Sequence, residues 1–139
     1  MSLKGYRWAY NPKTVHPHIS DAEKARVKEL CDLFIDAELK PKYLIKYNER
    51  HKDQKMKEIY SKWYRGFLHF IAVYKDFRKY RILDLYKDRF ARLEYLDEDK
   101  FLLSYFRHTN EWFELTYGKG VSLEIALRNI LEMPHFIPM

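Results

Sequence analysis

The apolar positions of this chain follow two periods, one helical and one of alternation. In "SDAEKARVKELCDLFIDAEL", Val27, Leu30, Cys31, Phe34 and Ala37 recur every three or four residues and form one apolar stripe. Ser20 and Glu23 stand at the start of this stripe in the S-x-x-E arrangement, where each side chain can accept from a backbone N–H that lacks a helical partner. Pro41 is expected to stop this helix, because the residue before a proline disfavours the α region. "KYLIKY", residues 42–47, then reads as a strand, and "NERHKDQK" as a polar loop.

Met56, Ile59, Tyr60, Trp63 and Phe67 return to helical spacing, with Gly66 suited to the position after a helix end. A short helix is predicted there, with a strand through "EIYSKWY" as the competing reading. "FLHFIAVY", residues 67–74, is apolar on both alternating faces, as a strand inside a sheet requires. His69 within it is expected to be a hydrogen-bonded core histidine. "KYRILDLY", "RFARLEYL", "FLLSYFR" and "EWFELTY" are further strand candidates. Between them lie turns at "DEDK", residues 97–100, and "HTN", residues 108–110. Ser122 can cap a last helix that buries Ile125, Ala126, Leu127 and Ile130 and ends at Pro134.

These elements predict an α+β fold: an antiparallel meander of about five strands, with an N-terminal and a C-terminal helix packed on one face. Residues 1–19 show no period and contain Pro12 and Pro17, so they read as an irregular arm that docks through Tyr6, Trp8 and Tyr10 or stays mobile. Residues 20–139 form the single domain, a size that buries enough surface to need no disulfide. Cys31 is the one cysteine, which excludes an intrachain disulfide and a thiolate-rich zinc site. Its place in the apolar stripe points to a buried, inert thiol. No charged segment followed by an apolar core stands at the start, and the longest apolar run is too short to span a bilayer. A cytoplasmic chain with no membrane partner is expected.

Charge changes the picture more than composition does. The net charge is +6, yet residues 40–92 carry sixteen basic and six acidic side chains, while residues 93–139 carry four basic and eight acidic. A basic middle of this kind points to an anionic partner. The candidate anion-binding residues are Lys42, Lys46, Arg50, Lys75, Arg78, Lys79, Arg81, Lys87 and Arg89, with Tyr74, Phe77 and Tyr80 as stacking platforms. The interspersed Asp76, Asp84 and Asp88 argue for a solvated edge with ion pairs instead.

Catalytic chemistry has one weak cluster. "RHTNEW", residues 107–112, groups His108 as a base, Glu111 to orient it and Arg107 to hold an anion. His16 and His18 are the only local pair of candidate metal ligands. The chain contains no GxGxxG, GxxxxGK[ST], GxSxG or HExxH, and with four glycines it has little means of cradling a pyrophosphate. No cofactor is expected. The leading reading is a non-catalytic binding module for an anionic partner such as nucleic acid. The alternative is a homodimeric protein-interaction domain, and a small enzyme using His108 is the outsider.

Overall fold

The computed structural model describes residues 19–82, 84–107 and 109–138. The N-terminal arm with its aromatic residues, His16 and His18, and His108 therefore lie outside the described residues. Helix α1 (Asp21–Phe34) begins as expected: Ser20 Oγ accepts from the Glu23 N–H at 3.1 Å. The Glu23 carboxylate is taken by Arg26, at 2.8 and 3.0 Å, on the next turn. Val27 and Cys31 are the buried residues of the helix, whereas Leu30 is 40% exposed and Ala37 lies at the surface.

Pro41 does not end the helix, contrary to the expectation from sequence. The chain continues through a π-helical segment (Ile35–Leu44) into α2 (Ile45–Arg50). Proline removes one N–H and crowds the preceding turn; a wider turn relieves both, and Ile45 N–H reaches back to Lys40 O. The predicted strand at 42–47 is thus helical. Burial of Ile35, Leu39 and Tyr43, each four residues after the last, outweighs the β propensity of "YLIKY".

Five strands follow: β1 (Gln54–Tyr64), β2 (Phe67–Asp76), β3 (Leu85–Asp97), β4 (Lys100–Phe106) and β5 (Trp112–Glu114). They form one antiparallel sheet in the order β1-β2-β3-β4-β5, the predicted meander. The short helix predicted at 56–66 is strand β1. A β-bulge between Met56 and Glu58 sends both Met56 and Ile59 into the core, so a three-residue spacing that mimics a helix is made by a strand. A second irregularity, between Phe70 and Ile71 of β2, lets Phe90 and Ala91 of β3 both be buried. "KYRILDLY" is mostly loop: β3 starts only at Leu85, and Tyr80 and Ile82 are 86% and 96% exposed.

Helix α3 (Leu123–Glu132) is capped by Ser122 Oγ, which accepts from Ile125 N–H at 3.2 Å. Leu123, Ala126, Leu127 and Ile130 are buried, but Ile125 is half-exposed, against expectation. A short 3-10 turn (Pro134–Phe136) follows and buries Phe136. One apolar core joins Val27, Cys31, Ile35, Leu39 and Tyr43, the inner positions of β1 to β4, and α3. The helices therefore share one face of the sheet. Trp63 Nε1 donates to Lys24 O at 3.0 Å and Ser61 Oγ to Asp32 at 2.6 Å, which fixes the edge strand β1 against α1.

Candidate anion-binding surfaces

Lys42, Lys46 and Arg50 stand at four-residue intervals, so the π-helical segment and α2 bring them to one side. All three line a cavity of about 540 Å³ with Tyr43, Tyr47, His51, Gln54, Ile137 and Pro138. No carboxylate is among the described residues that line it. Lys42 Nζ donates to the Leu131 carbonyl at the end of α3, where a cation complements the helix dipole. Lys46 and Arg50 form no ion pair among the described residues.

An aromatic column begins in the cavity wall with Tyr47 and His51 and continues behind it. The Tyr47 ring lies 3.9 Å from His51 at an interplanar angle of 12° and 5.1 Å from Tyr74, which in turn stacks on Tyr86 at 4.9 Å. Gln54 Oε1 accepts from Tyr47 OH at 3.0 Å and from Tyr86 OH at 3.3 Å. Burial, with Tyr86 adding to it, pushes the Tyr47 phenol up to about 12, so it remains a neutral donor. Tyr74 is fully buried in this column and its hydroxyl has no hydrogen-bond partner among the described residues. It is a core residue and cannot serve as the stacking platform expected from sequence.

Gln54 also borders a second groove, lined by Asp76, Arg78, Lys79, Tyr80, Ile82 and Tyr86. Two of the basic segments evident in the sequence thus meet at Gln54. Carboxylates take part of that charge. Arg78 clasps Asp76 with Nε at 3.0 Å and Nη2 at 2.7 Å, and the Arg78 N–H donates to the same carboxylate at 2.9 Å. These hydrogen bonds hold Asp76 down to about 2. Arg81 is paired with Asp84. The Lys75 ammonium lies 5.3 Å from the Phe77 ring and that of Lys79 lies 5.5 Å from the Tyr80 ring, with both rings exposed.

Lys87 and Arg89 do not join this patch. Their strand alternation places them on the sheet face away from the helices, with Lys87 5.6 Å from the Tyr60 ring. One register row of that face runs across the whole sheet as Lys62, His69, Arg92, Ser104 and Glu114. The Arg92 guanidinium is sandwiched 4.2 Å from Phe67 and 4.5 Å from Trp112. His69 is buried on this face, but its Nδ1 has no hydrogen-bond partner among the described residues, contrary to the hydrogen-bonded histidine expected. Burial first, then the charges of Arg89 and Arg92, lower it to about 4, so the ring is neutral at pH 7. Lys62 and Tyr64 are absent from the candidates drawn from sequence, because the helical spacing of 56–67 hides the strand; Arg92 is absent as well, although its segment reads as a strand. Alternation through "EIYSKWY" is the signal that groups Tyr60, Lys62 and Tyr64.

Of the catalytic cluster, Arg107 and Glu111 are among the described residues, while His108 is not. Arg107 and Asn110 border a cavity of about 610 Å³ with Asp88, Tyr105 and His135, but Glu111 is not among its lining residues. Glu111 instead closes the hairpin through its carbonyl, which accepts from Arg107 N–H at 2.8 Å. Among the described residues, no group of three His, Cys, Asp or Glu could hold a metal ion, and no helix is long and apolar enough to cross a membrane.

The model of a domain of unknown function, DUF3024, matches residues 19–138. The chain belongs to the DUF3024 family. The match takes in every strand and helix of the DUF3024 fold described above. No curated protein and no solved structure matches the chain.

Proposed function

We propose that the domain is a non-catalytic binding module whose α2 cleft takes an anionic partner, a single-stranded nucleic acid. One observation carries this reading: Lys42, Lys46 and Arg50 line a single cleft in which no described residue supplies a carboxylate. Lys46 and Arg50 contact the phosphates, and Lys42 lends its charge while remaining tied to α3. The groove beyond Gln54 extends the track, with Lys79 as a further phosphate contact and the exposed Tyr80 ring as a stacking surface. A single strand suits this surface better than a duplex, because an exposed ring gains energy only from an unpaired base face. Phosphate contacts release counterions, so affinity falls steeply with salt.

The test is fluorescence anisotropy of a labelled random-sequence oligonucleotide, single-stranded and duplex, across a salt series. The expected result is single-strand binding at low ionic strength that weakens as salt rises. Absence of binding at low ionic strength, or equal binding by a Lys46→Ala, Arg50→Ala double variant, would overturn the reading.

A further inference from the structure

Away from the α2 cleft, on the opposite face of the sheet, a cavity of about 250 Å³ is lined by Lys62, Tyr64, His69, Ile71 and Arg89. Two cations flank it from neighbouring strands. Lys62 is the direct partner of His69, and Arg89 of Ile71. Neither Lys62 nor Arg89 forms an ion pair among the described residues. His69 is only 4% exposed, and its Nδ1 makes no hydrogen bond among the described residues. Two exposed cations thus stand on either side of a neutral imidazole, and no carboxylate is among the described residues that line the cavity. One ligand group suits such a site, an anion with several oxygens that can pair with both cations. Tyr64, 56% exposed, supplies a flat apolar wall at the rim, and the Arg65 guanidinium sits 5.1 Å from its ring.

We propose that this cavity is a binding site for a phosphate monoester carried on a flat ring, with the phosphate between Lys62 and Arg89 over His69 and the ring on Tyr64. A nucleoside monophosphate has this chemistry. The site shares no residue with the α2 cleft, so it does not rest on the nucleic-acid reading. Arg92, held between Phe67 and Trp112 beside His69, adds its charge from the next strand without lining the cavity.

The experiment is proton NMR of the histidine ring signals of the whole chain, titrated separately with inorganic phosphate and with uridine monophosphate. A His69→Gln variant identifies the His69 signal. The expected result is a saturable shift of that signal with either ligand and a rise of its titration midpoint by about 1–3 pH units, as a close anion produces. Uridine monophosphate should bind more tightly than phosphate, and Tyr64→Ala should remove about tenfold of that affinity while sparing phosphate. Lys62→Met with Arg89→Met, both exposed and therefore tolerated, should abolish the response to both. The Lys46→Ala, Arg50→Ala variant should leave it intact. No saturable shift, equal affinity for the two ligands in the unaltered chain, or a response that survives Lys62→Met with Arg89→Met would overturn the proposal.

Discussion

His69 on β2 and Arg92 on β3 are direct cross-strand partners, and each holds a buried nitrogen without a hydrogen-bond partner among the described residues, Nδ1 in one and Nε in the other. The pair lies on the sheet face that the helices leave uncovered. Lys62 flanks His69 from β1, and Arg89 stands near it on β3. A positive charge on His69 would be opposed by Arg89 and Arg92, while Glu94 on β3 acts on Arg92. The histidine is therefore held neutral by its neighbours as well as by burial.

That neutrality predicts a pH dependence of stability. The imidazole titrates near 4 in the folded chain and near 6.5 when unfolded, so between these values the unfolded state binds the proton. Stability contributed by neutral His69 is full above about pH 6.5 and is lost as the pH falls towards 4. The loss reaches about 3 kcal/mol by pH 4. Urea midpoints measured at pH 7, 5.5 and 4.5 should fall for the unaltered chain and fall less for His69→Gln. Parallel profiles for the two would show that His69 does not contribute.

Tyr74 makes the opposite prediction for a conservative change. Its ring is fully buried between Tyr47 and Tyr86, yet its hydroxyl finds no partner among the described residues. Removing an unsatisfied buried hydroxyl while keeping the ring costs no hydrogen bond and relieves a desolvation penalty. Tyr74→Phe is expected to leave stability unchanged or raise it by about 1 kcal/mol. Tyr47→Phe should lower stability, because it breaks the hydrogen bond to Gln54. Denaturant midpoints of the two variants, compared with the unaltered chain, check the sign of each.

Particular residues show which features are legible in sequence. Ser20 and Ser122 mark both helix starts because capping is a local event within four residues. The alternation of "FLHFIAVY" and the polar turns after it suffice for the meander, since hairpin pairing follows chain order. Three features need the tertiary structure. Pro41 sits within a π-helical turn whose stability comes from burying Leu39 and Tyr43. The bulge after Met56 gives a strand the spacing of a helix. Charge alone does not assign the basic segments to a face: Lys42, Lys46 and Arg50 gather in the α2 cleft, whereas Lys87 and Arg89 lie on the far side of the sheet. The site around His69 is illegible because it joins alternate residues of three strands, one of them with helical spacing.

Cys31 sits in the apolar stripe of α1, which points to an inert thiol, and the structure gives that inertness a measurable form. It is fully buried under the sheet, and burial, with Asp32 adding to it, pushes the thiol up to about 12. At pH 8 the thiolate is then roughly a thousandfold scarcer than in a free cysteine. Iodoacetamide labelling of the native chain should be correspondingly slow and should become fast in denaturant. Rapid modification of the native chain would mean that α1 opens readily from the sheet.

The α2 cleft predicts a graded response to removing charge. Deleting one phosphate-binding cation should reduce the slope of log affinity against log salt by about 0.7 for a single strand. Lys46→Ala and Arg50→Ala should each show this reduction, with similar effects across sequences because phosphate contacts do not read bases. Lys42→Ala should also lower stability, since its ammonium is bonded to the Leu131 carbonyl. Arg81→Ala, whose guanidinium is paired with Asp84, should change the slope little.

Asp76 separates binding from stability within one substitution. Its carboxylate lies in the groove beyond Gln54 and holds Arg78 through four hydrogen bonds, to both the side chain and the backbone N–H. Those bonds keep the carboxyl near 2, below its unfolded value of 3.8, so the stability it contributes is present above about pH 4 and is lost as the pH falls through 2. Asp76→Asn should therefore destabilise the loop between β2 and β3 at neutral pH and flatten the acid limb of the stability profile. The same change removes a negative charge from the proposed track and frees Arg78 for a phosphate. Oligonucleotide affinity at low salt should rise, and the salt slope should steepen by about 0.7. Anisotropy and urea unfolding on the one variant check both signs. Weaker binding alongside lower stability would show that Asp76 acts only as a brace and that Arg78 does not face the strand.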